Sequence, residues 1–329
     1  MAKVLQCSSE RSTLMEIRIG YVSMALAIFN NTPSSTFTYK LFSQRPREEA
    51  MQRAIEVGRK NLEATRRILY YNAAHGIRLF RLSSSLIPLA THPEVLIDVG
   101  EVYKKELAEL GGFARRHDIR LSMHPNQFTL LNGKDPVVEA AIRDLEYHAA
   151  LLDGMGLDDS AVINIHVGGV YGDKASAMER LYEKFPEVPA PVAARMTFEN
   201  DDKTYTLLET LEVCERLGRP MMLDLHHDWC NPSGTDPLDV LGRIRATWGG
   251  RPMKIHVSSP KEEKDFRSHA DYINPEPLAA FLRGCREAGM ERIDVMVEAK
   301  MKDLAALRLA EDLGKIRGLK RTDGGMLKW

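Results

Sequence analysis

The sequence is short of cysteine and lacks long hydrophobic runs. Its 329 residues include only four cysteines, and no two of them form a C-x-x-C pair. This pattern excludes a disulfide framework and a thiolate zinc knuckle, and it predicts reduced thiols without a functional role. No run approaches 18 apolar residues, and the first sixteen residues lack the apolar core of a signal peptide. We therefore expect a cytoplasmic protein with no membrane partner.

An excess of either charge is also missing. Lys and Arg total 45 against 46 Asp and Glu, which gives a net charge of -1. A global basic field is excluded, so any binding to nucleic acid must depend on a local patch. Hydrophobic residues make up 44% and charged residues 28% of the chain, which is typical of a globular protein with a full-sized core and excludes a disordered chain.

Short β-branched segments alternate with longer segments of helical periodicity. The predicted strands number eight: Ile17–Ser23, Leu79–Ser85, Arg120–His124, Ala161–Val167, Arg195–Asn200, Pro220–Asp224, Arg251–Ser258 and Arg292–Glu298. The predicted helices follow them: Pro46–Ala74, Gly100–His117, Pro136–Leu152, Lys174–Phe185, Thr204–Leu217, Pro237–Trp248, Glu276–Ala288 and Lys302–Leu313. Eight strand and helix units predict an α/β fold of the TIM-type (β/α)8 barrel class.

An open, doubly wound sheet would give a similar pattern, but no glycine-rich dinucleotide turn follows the first strand. We predict a single catalytic domain over residues 17–313, preceded by an N-terminal extension (1–16) and followed by a flexible basic tail (314–329). The loop Ile28–Arg45 is long and polar, which indicates a functional lid or a mobile insertion.

Acidic residues and histidines recur where the predicted strands end. They are His124, His166, Glu199, Asp224, His226 or His227, His256 and Glu298, with His269 in the loop after the seventh strand. Parallel barrel strands bring their carboxyl ends to one mouth, where so many like groups need cations between them. The sequence therefore predicts a site for several metal ions.

The donor set predicts catalytic ions. Imidazole and carboxylate without thiolate suit zinc, manganese or iron, and two or three such ions can clamp a phosphate and generate hydroxide. This chemistry is phosphodiester hydrolysis. His227 is preferred over His226 as the partner of Asp224. Lys254 shares a strand face with His256, so it either pairs with a carboxylate in the barrel or is carboxylated and becomes a further ligand.

Eight segments, in order, carry a family resemblance: IGYVSM, LFRLSSSLIP, SMHPNQF, NIHVGGVYGDK, FENDD, LDLHH, KIHVSS and VMVEAK. From Ile17 to Lys300 the chain resembles the UV damage endonucleases of DNA repair. The resemblance implies a TIM barrel that incises damaged double-stranded DNA 5′ to a photoproduct (a cyclobutane dimer or a 6-4 photoproduct, with abasic sites as a further substrate) and leaves a 3′-hydroxyl. It also implies a nucleoid-associated enzyme in the cytoplasm, with no obligatory protein partner.

The resemblance assigns roles to individual residues. It implies two or three Mn2+ ions, with Zn2+ or Mg2+ as alternatives, bound by His124, His166, Glu199, Asp224, His227, His256, His269, Glu298 and an N6-carboxylated Lys254. The catalytic residues are then Tyr21, Lys254, Glu199 and Glu298. Lesion probing falls to Gln127, Phe128, Tyr21 and Asn30.

Two positions depart from the family pattern. Phe128 stands where the family carries tyrosine, so stacking is retained but the hydroxyl is lost. Ser85 stands where some members have a metal-binding histidine, which weakens one metal position. Three alternative functions remain at this point: an abasic-site endonuclease, a divalent-metal sugar isomerase of the xylose-isomerase type and a non-enzymatic DNA-binding protein.

Overall fold

A computed structural model describes residues 14–329, and its central feature is a ring of eight parallel strands. The ring is formed by β1 (Glu16–Val22), β2 (Leu79–Arg81), β3 (Arg120–Ser122), β4 (Ile163–His166), β5 (Met196–Glu199), β6 (Met221–Asp224), β7 (Met253–Val257) and β10 (Arg292–Val297). β10 pairs in parallel with both β1 and β7. β3 and β4 meet only through the bridge between Met123 and Ile163. The predicted TIM-type barrel is confirmed.

Helices cover the outside of the ring and alternate with its strands. They are α1 (Tyr39–Ser43), α2 (Arg47–Ala74), α3 (Val99–Val102), α4 (Lys104–Arg116), α5 (Asp135–Gly154), α6 (Lys174–Lys184), α7 (Ala190–Arg195), α8 (Leu207–Leu217), α9 (Leu225–Cys230), α10 (Leu241–Thr247), α11 (Pro275–Glu287) and α12 (Lys302–Gly314). None of the helices between residues 14 and 329 has the length and hydropathy needed to cross a membrane. The main core lies between the outer faces of the strands and the helices.

Most predicted elements differ from the structure by a few residues at their ends, and local contacts explain three of the differences. β2 ends at Arg81 and not at Ser85, because the chain turns after Leu82 and the Ser83 hydroxyl accepts from the backbone N–H of Ser85. The predicted helix 100–117 is broken at Tyr103, whose φ of -117° is not helical. The helix predicted from Thr204 begins at Leu207, since Thr206 is its N-cap in a capping box with Glu209.

The C-terminal residues correct the expectation of a flexible basic tail. Strands β11 (Lys320–Asp323) and β12 (Met326–Lys328) form a hairpin. β12 pairs antiparallel with residues 16–18 of β1, at the end of β1 that the short β2 does not reach. Leu327 and Trp329 are buried there. The hairpin covers a strand edge that would otherwise expose unpaired backbone groups.

Two further expectations concern the ends of the barrel. The loop 28–45 contains α1 and is held to α2 by the side chain of Asn61, which accepts from the backbone N–H of Ser35 over 2.8 Å. The predicted extension 1–16 lies outside the described residues except for its last three positions, and Glu16 already belongs to β1. Cys7 lies outside them as well, while Cys214, Cys230 and Cys285 are free thiols.

Candidate metal centre at the barrel mouth

The inner faces of the strands carry polar side chains in register. Because side chains alternate along a strand, Asn164 and His166 of β4 point to the same side, as do Lys254 and His256 of β7. Parallel pairing aligns His166 with Glu199 and Asp224 with His256. The carboxyl ends of the strands therefore place histidines and carboxylates together at the mouth.

Seven of the predicted metal ligands form three overlapping groups. In each group one nitrogen or oxygen from every residue lies within 4.8 Å of the others. The groups are His124, His166 and Glu199; Glu199, Asp224 and His227; and Asp224, His256 and Glu298. Since Glu199 and Asp224 are each shared by two groups, the three groups form one continuous set of donors that could hold metal ions.

Glu199 is the buried centre of this cluster, with a side chain only 1% exposed. One of its oxygens lies 3.1 Å from His124 Nε2, and the other lies 2.9 Å from His256 Nδ1. Burial alone would raise the pKa of Glu199, but the charges of His256 and His166 and the imidazole hydrogen bonds keep it well below its ordinary value. The carboxylate is thus held ionised in a buried position, as a metal ligand must be.

The turn after β6 decides which neighbouring histidine faces the cluster. Asp224 is the N-cap of α9 and accepts from the backbone N–H of His227 over 2.8 Å. The helix begins at once, so His227 turns toward Asp224 and Glu199. His226 turns away, and its Nε2 lies 2.8 Å from the carbonyl oxygen of Phe266. The placement agrees with the choice of His227 from sequence, and its role as a ligand remains a prediction.

His269 is not brought into any of the three groups found among residues 14–329. It lies on β9 (Asp265–His269), which forms a hairpin with β8 (Pro260–Glu262), and its ring centroid is 5.4 Å from that of His226. The ligand role of His269 stays a prediction. Because His269 was assigned to a loop and not to a strand, the direction of its side chain could not be predicted from the sequence.

Lys254 is a buried amine. Its side chain is 1% exposed, and its Nζ makes no hydrogen bond to any residue between 14 and 329. Burial and the nearby Arg120 guanidinium lower its pKa to about 7. The carboxylate opposite Lys254, Asp294, is paired with Arg120. The alternative in which Lys254 forms an ion pair with a carboxylate inside the barrel is therefore wrong.

Sequence reasoning missed Arg81. It ends β2 and forms an ion pair with Glu298, a member of the third group. Burial would raise the pKa of Glu298, but Arg81 and His256 lower it strongly. Ser85, the position where the sequence predicts a weakened metal site, lies in the turn after β2. His92, further along the same loop, stacks on Tyr39 with a ring separation of 4.0 Å and belongs to none of the groups between residues 14 and 329.

The comparisons with known proteins agree with the site. Residues 17–329 match a family model described as UV-endonuclease UvdE. The chain is also 46% identical, over 319 residues, to a UV DNA damage endonuclease of Bacillus velezensis, with 96% of this chain and 99% of the relative covered. The chain belongs to the UV-endonuclease family. A UV-endonuclease is an enzyme, a hydrolase of phosphodiester bonds in DNA.

Solved structures extend the comparison. The crystal structure of SacUVDE has a TM-score of 0.80 and 32% identity, with 91% of this chain and all of that chain covered. An endonuclease IV from Thermus thermophilus has a TM-score of 0.51 and 17% identity, with 74% of this chain and 91% of that chain covered. The second likeness shows the fold alone.

The loop after β3 exposes the residues assigned to lesion probing. Gln127 is exposed, and the ring of Phe128 is 74% exposed. Asn126 shapes the turn, since its side-chain oxygen accepts from the backbone N–H of Phe128 over 2.8 Å. The alternative in which Phe128 folds back into the local core is wrong. Asn30 is exposed in the loop after β1, with a φ of 50°.

Tyr21 requires a correction. It was expected at the scissile site and in the probing set, but it is fully buried. Its hydroxyl donates to Asn72 of α2 over 2.6 Å, and its ring lies 5.1 Å from that of Phe80. Burial raises the pKa of its hydroxyl well above the ordinary value. In this position it packs β1 against α2 and does not reach the mouth.

Proposed function

We propose that the protein incises double-stranded DNA immediately 5′ to a UV photoproduct, in a metal-dependent reaction that leaves a 3′-hydroxyl. The observation that carries the proposal is the combination of three overlapping ligand groups with an exposed Phe128 on an adjacent mouth loop. A cluster of metal ligands suits phosphodiester hydrolysis, and an exposed aromatic ring suits recognition of a damaged duplex. The cyclobutane dimer and the 6-4 photoproduct are the proposed lesions.

The residues present fit divalent ions. Two buried ligand atoms, Asp224 Oδ2 and His166 Nδ1, have no hydrogen-bond partner among residues 14–329. An unpaired buried polar atom is costly, and a bound cation would satisfy the carboxylate oxygen. The groups supply only nitrogen and oxygen donors, which suits Mn2+, with Zn2+ and Mg2+ as alternatives. When bound, such ions polarise a phosphate and generate hydroxide near neutral pH.

The protein's own groups would orient these ligands. Asn164 donates to Glu199 and accepts from the Thr197 hydroxyl over 2.7 Å, so the carboxylate is fixed from below. The His227 ring nitrogen Nδ1 lies 2.9 Å from the Asn200 carbonyl oxygen and 3.5 Å from a Glu199 oxygen, so the ring is held against the cluster. Hydrogen bonds of this kind set the direction and basicity of metal ligands.

We further propose that Lys254 is N6-carboxylated. Two buried nitrogen atoms in this part of the barrel, Lys254 Nζ and Arg120 Nη2, lack hydrogen-bond partners in the described part of the chain. With a pKa of about 7, the amine is largely neutral at physiological pH and can add to CO2 with loss of a proton. The resulting carbamate would place a negative charge near the guanidinium groups of Arg120 and Arg81, which both oppose the charged amine.

Gln127 and Phe128 are proposed to enter the duplex at the lesion. An aromatic ring that stacks in the space left by an extruded base offsets part of the cost of unstacking, about a few kcal/mol per step. That cost is lowest where damage has already weakened pairing. Selectivity for damage then needs no sequence readout.

The experiment compares three labelled duplexes: one with a single cyclobutane dimer, one with an abasic site and one undamaged. Each is incubated with Mn2+ or with a chelator, and the ends of the products are mapped. We expect nicking 5′ to the dimer, with a 3′-hydroxyl, only when metal is present. Nicking of the abasic duplex alone would instead identify an abasic-site endonuclease. Absence of nicking together with turnover of a ketose would identify a sugar isomerase.

A further inference from the structure

Two cations lie beside Glu298 at the mouth, and neither belongs to the ligand groups. Arg81 forms an ion pair with Glu298. Lys302, the first residue of α12, follows Glu298 by four positions in the chain, and the charges of Arg81 and Glu298 both act on its ammonium group. In the part of the chain that the structure describes, Lys302 forms no ion pair, although the residue is only half-exposed.

Among the described residues Arg81 pairs with Glu298, whereas Lys302 has no ion pair of its own. A partly buried cation without a counter-charge is unfavourable. If Glu298 binds a metal ion, as proposed above, its charge is directed to that ion and Arg81 loses its partner. An anion would then neutralise the two cations, and the anion that an endonuclease brings to its metal centre is a phosphate.

The backbone of Lys302 is held in an unfavourable conformation. Its φ is 47°, in the left-handed region that favours glycine and that a lysine seldom adopts. Strained residues of this kind persist only where surrounding contacts impose them, and they concentrate at functional sites. A lysine at this position therefore points to a use for its side chain.

Contacts on both sides fix this conformation. The backbone N–H groups of residues 300 and 301 donate to the carbonyls of residues 270 and 271, both over 3.1 Å. On the other side, the buried carboxylate of Asp303 accepts from the backbone N–H of Leu26 over 2.6 Å. The segment after β9 and the loop after β1 thus hold the backbone around Lys302 from two directions, four residues after Glu298.

We propose that Arg81 and Lys302 together bind the scissile phosphate of the damaged strand and neutralise the charge that develops on it during incision. The proposal rests on the incision function proposed above and adds two catalytic residues to it. Fixed cations aimed at developing charge act strongly in a site that excludes water. Neither side chain is needed as a metal ligand in this arrangement.

The test is a thermodynamic cycle in which the charge of a protein side chain and the charge of the phosphate are removed separately and together. One dimer-containing duplex carries a normal phosphate at the incision position, and a second carries a neutral methylphosphonate there. Affinity is measured for both with Ca2+ in place of Mn2+, and the recovered duplex is checked for nicks. The variants are Lys302→Met, Lys302→Gly, which relieves the backbone strain, and Lys302→Arg, which keeps the charge. Lys300→Met, an exposed neighbour, is the matched control.

We expect the wild type to prefer the charged phosphate by about tenfold, the size of one charged hydrogen bond. Lys302→Met and Lys302→Gly should lose that preference, as should Arg81→Met, while Lys302→Arg and Lys300→Met keep it. Calorimetry without DNA should give the same Mn2+ stoichiometry for the wild type and every Lys302 variant.

Either of two results would overturn this proposal without affecting the incision function. In the first, Lys302→Met and Lys302→Gly retain the wild-type preference for the charged phosphate. In the second, Lys302 variants bind fewer Mn2+ ions than the wild type. A wild-type protein that neither binds nor nicks the dimer-containing duplex would overturn the incision function itself, and this proposal with it. The two failures are distinguished by the wild-type reaction.

Discussion

The Nδ1 atom of His256 lies 2.9 Å from Oε1 of Glu199, and both side chains are only 1% exposed. The two residues come from β7 and β5, on either side of β6, so the barrel itself fixes their separation. A buried carboxylate and imidazole in contact stabilise each other's charged forms, and removal of one leaves the other uncompensated. The same atoms are well placed to bind a divalent ion.

Glu199→Gln tests the centre of the cluster. The amide keeps the shape but loses the charge shared by two ligand groups, so we expect Mn2+ stoichiometry to fall and nicking of a dimer-containing duplex to fall by about 100-fold or more. Metal content and single-turnover nicking are measured on the same preparation. Glu183→Gln, an exposed position on α6, is the control and should behave as the wild type. Normal metal content with near-normal nicking would exclude Glu199 from the centre.

Lys254→Met tests the buried amine by its pH dependence. The pKa of Lys254 is lowered to about 7 in the folded protein, so the unfolded chain binds more protons between about pH 7 and the ordinary value near 10.5. Lys254 therefore lowers the free energy of unfolding by its full amount below pH 7. This destabilisation disappears as the pH rises from about 7 to about 10.5. In metal-free, bicarbonate-free buffer, Lys254→Met should be more stable by about 2–5 kcal/mol at pH 7.

Urea unfolding of both proteins at pH 7 and pH 9.5 checks this expectation. The difference in the free energy of unfolding should shrink at the higher pH. Added bicarbonate at pH 7 should stabilise the wild type and leave Lys254→Met unchanged if the lysine is carboxylated. A difference in the free energy of unfolding that is independent of pH would show that the pKa of Lys254 is not lowered.

Phe128→Ala tests lesion probing. The ring is exposed, so its loss should change the melting temperature little. Incision of a dimer in a full duplex should fall by about tenfold or more, since stacking contributes about 1–3 kcal/mol per base. A dimer placed in a single-stranded gap should be cut nearly as well as by the wild type, because no unstacking is needed. Phe29→Ala, also exposed, is the control, and equal losses on both substrates would argue against a wedge.

Leu327→Ala tests the C-terminal hairpin. Leu327 is fully buried against β1, and truncation of a buried leucine costs about 2–5 kcal/mol of unfolding free energy. Chemical denaturation of the variant and of Lys328→Ala, an exposed neighbour on the same strand, measures the difference. A flexible tail would give no loss for either variant.

The barrel and most of its mouth could be predicted from sequence because periodicity and strand order are local signals. His166 and Glu199 end predicted parallel strands, and parallel pairing alone brings them together. Arg81 was missed because its chemistry depends on Glu298, 217 positions away. Tyr21 was misplaced for a related reason: the family motif marks the position but not which face of β1 the side chain occupies in this chain.

The tail was predicted wrongly, and the direction of the His269 side chain could not be predicted, for tertiary reasons. Glycines and lysines near the C-terminus predict a solvated, flexible segment. In the structure, however, β2 is short and leaves part of the edge of β1 unpaired, and the C-terminal hairpin pairs with that part. The direction of the His269 side chain depends on the β8–β9 hairpin. The residues of that hairpin are mostly charged and show no hydrophobic periodicity from which a strand could be predicted. The strain at Lys302 is likewise invisible in sequence, since nothing local requires a positive φ there.

Metal titration of the apo-protein tests the central claim most directly. Protein freed of metal by chelation is given increasing Mn2+, and bound metal and nicking of a labelled dimer-containing duplex are measured in parallel. The account predicts no nicking without metal, activity that rises with occupancy and a plateau at two to three bound ions per chain. Full nicking by protein from which metal has been removed would contradict it.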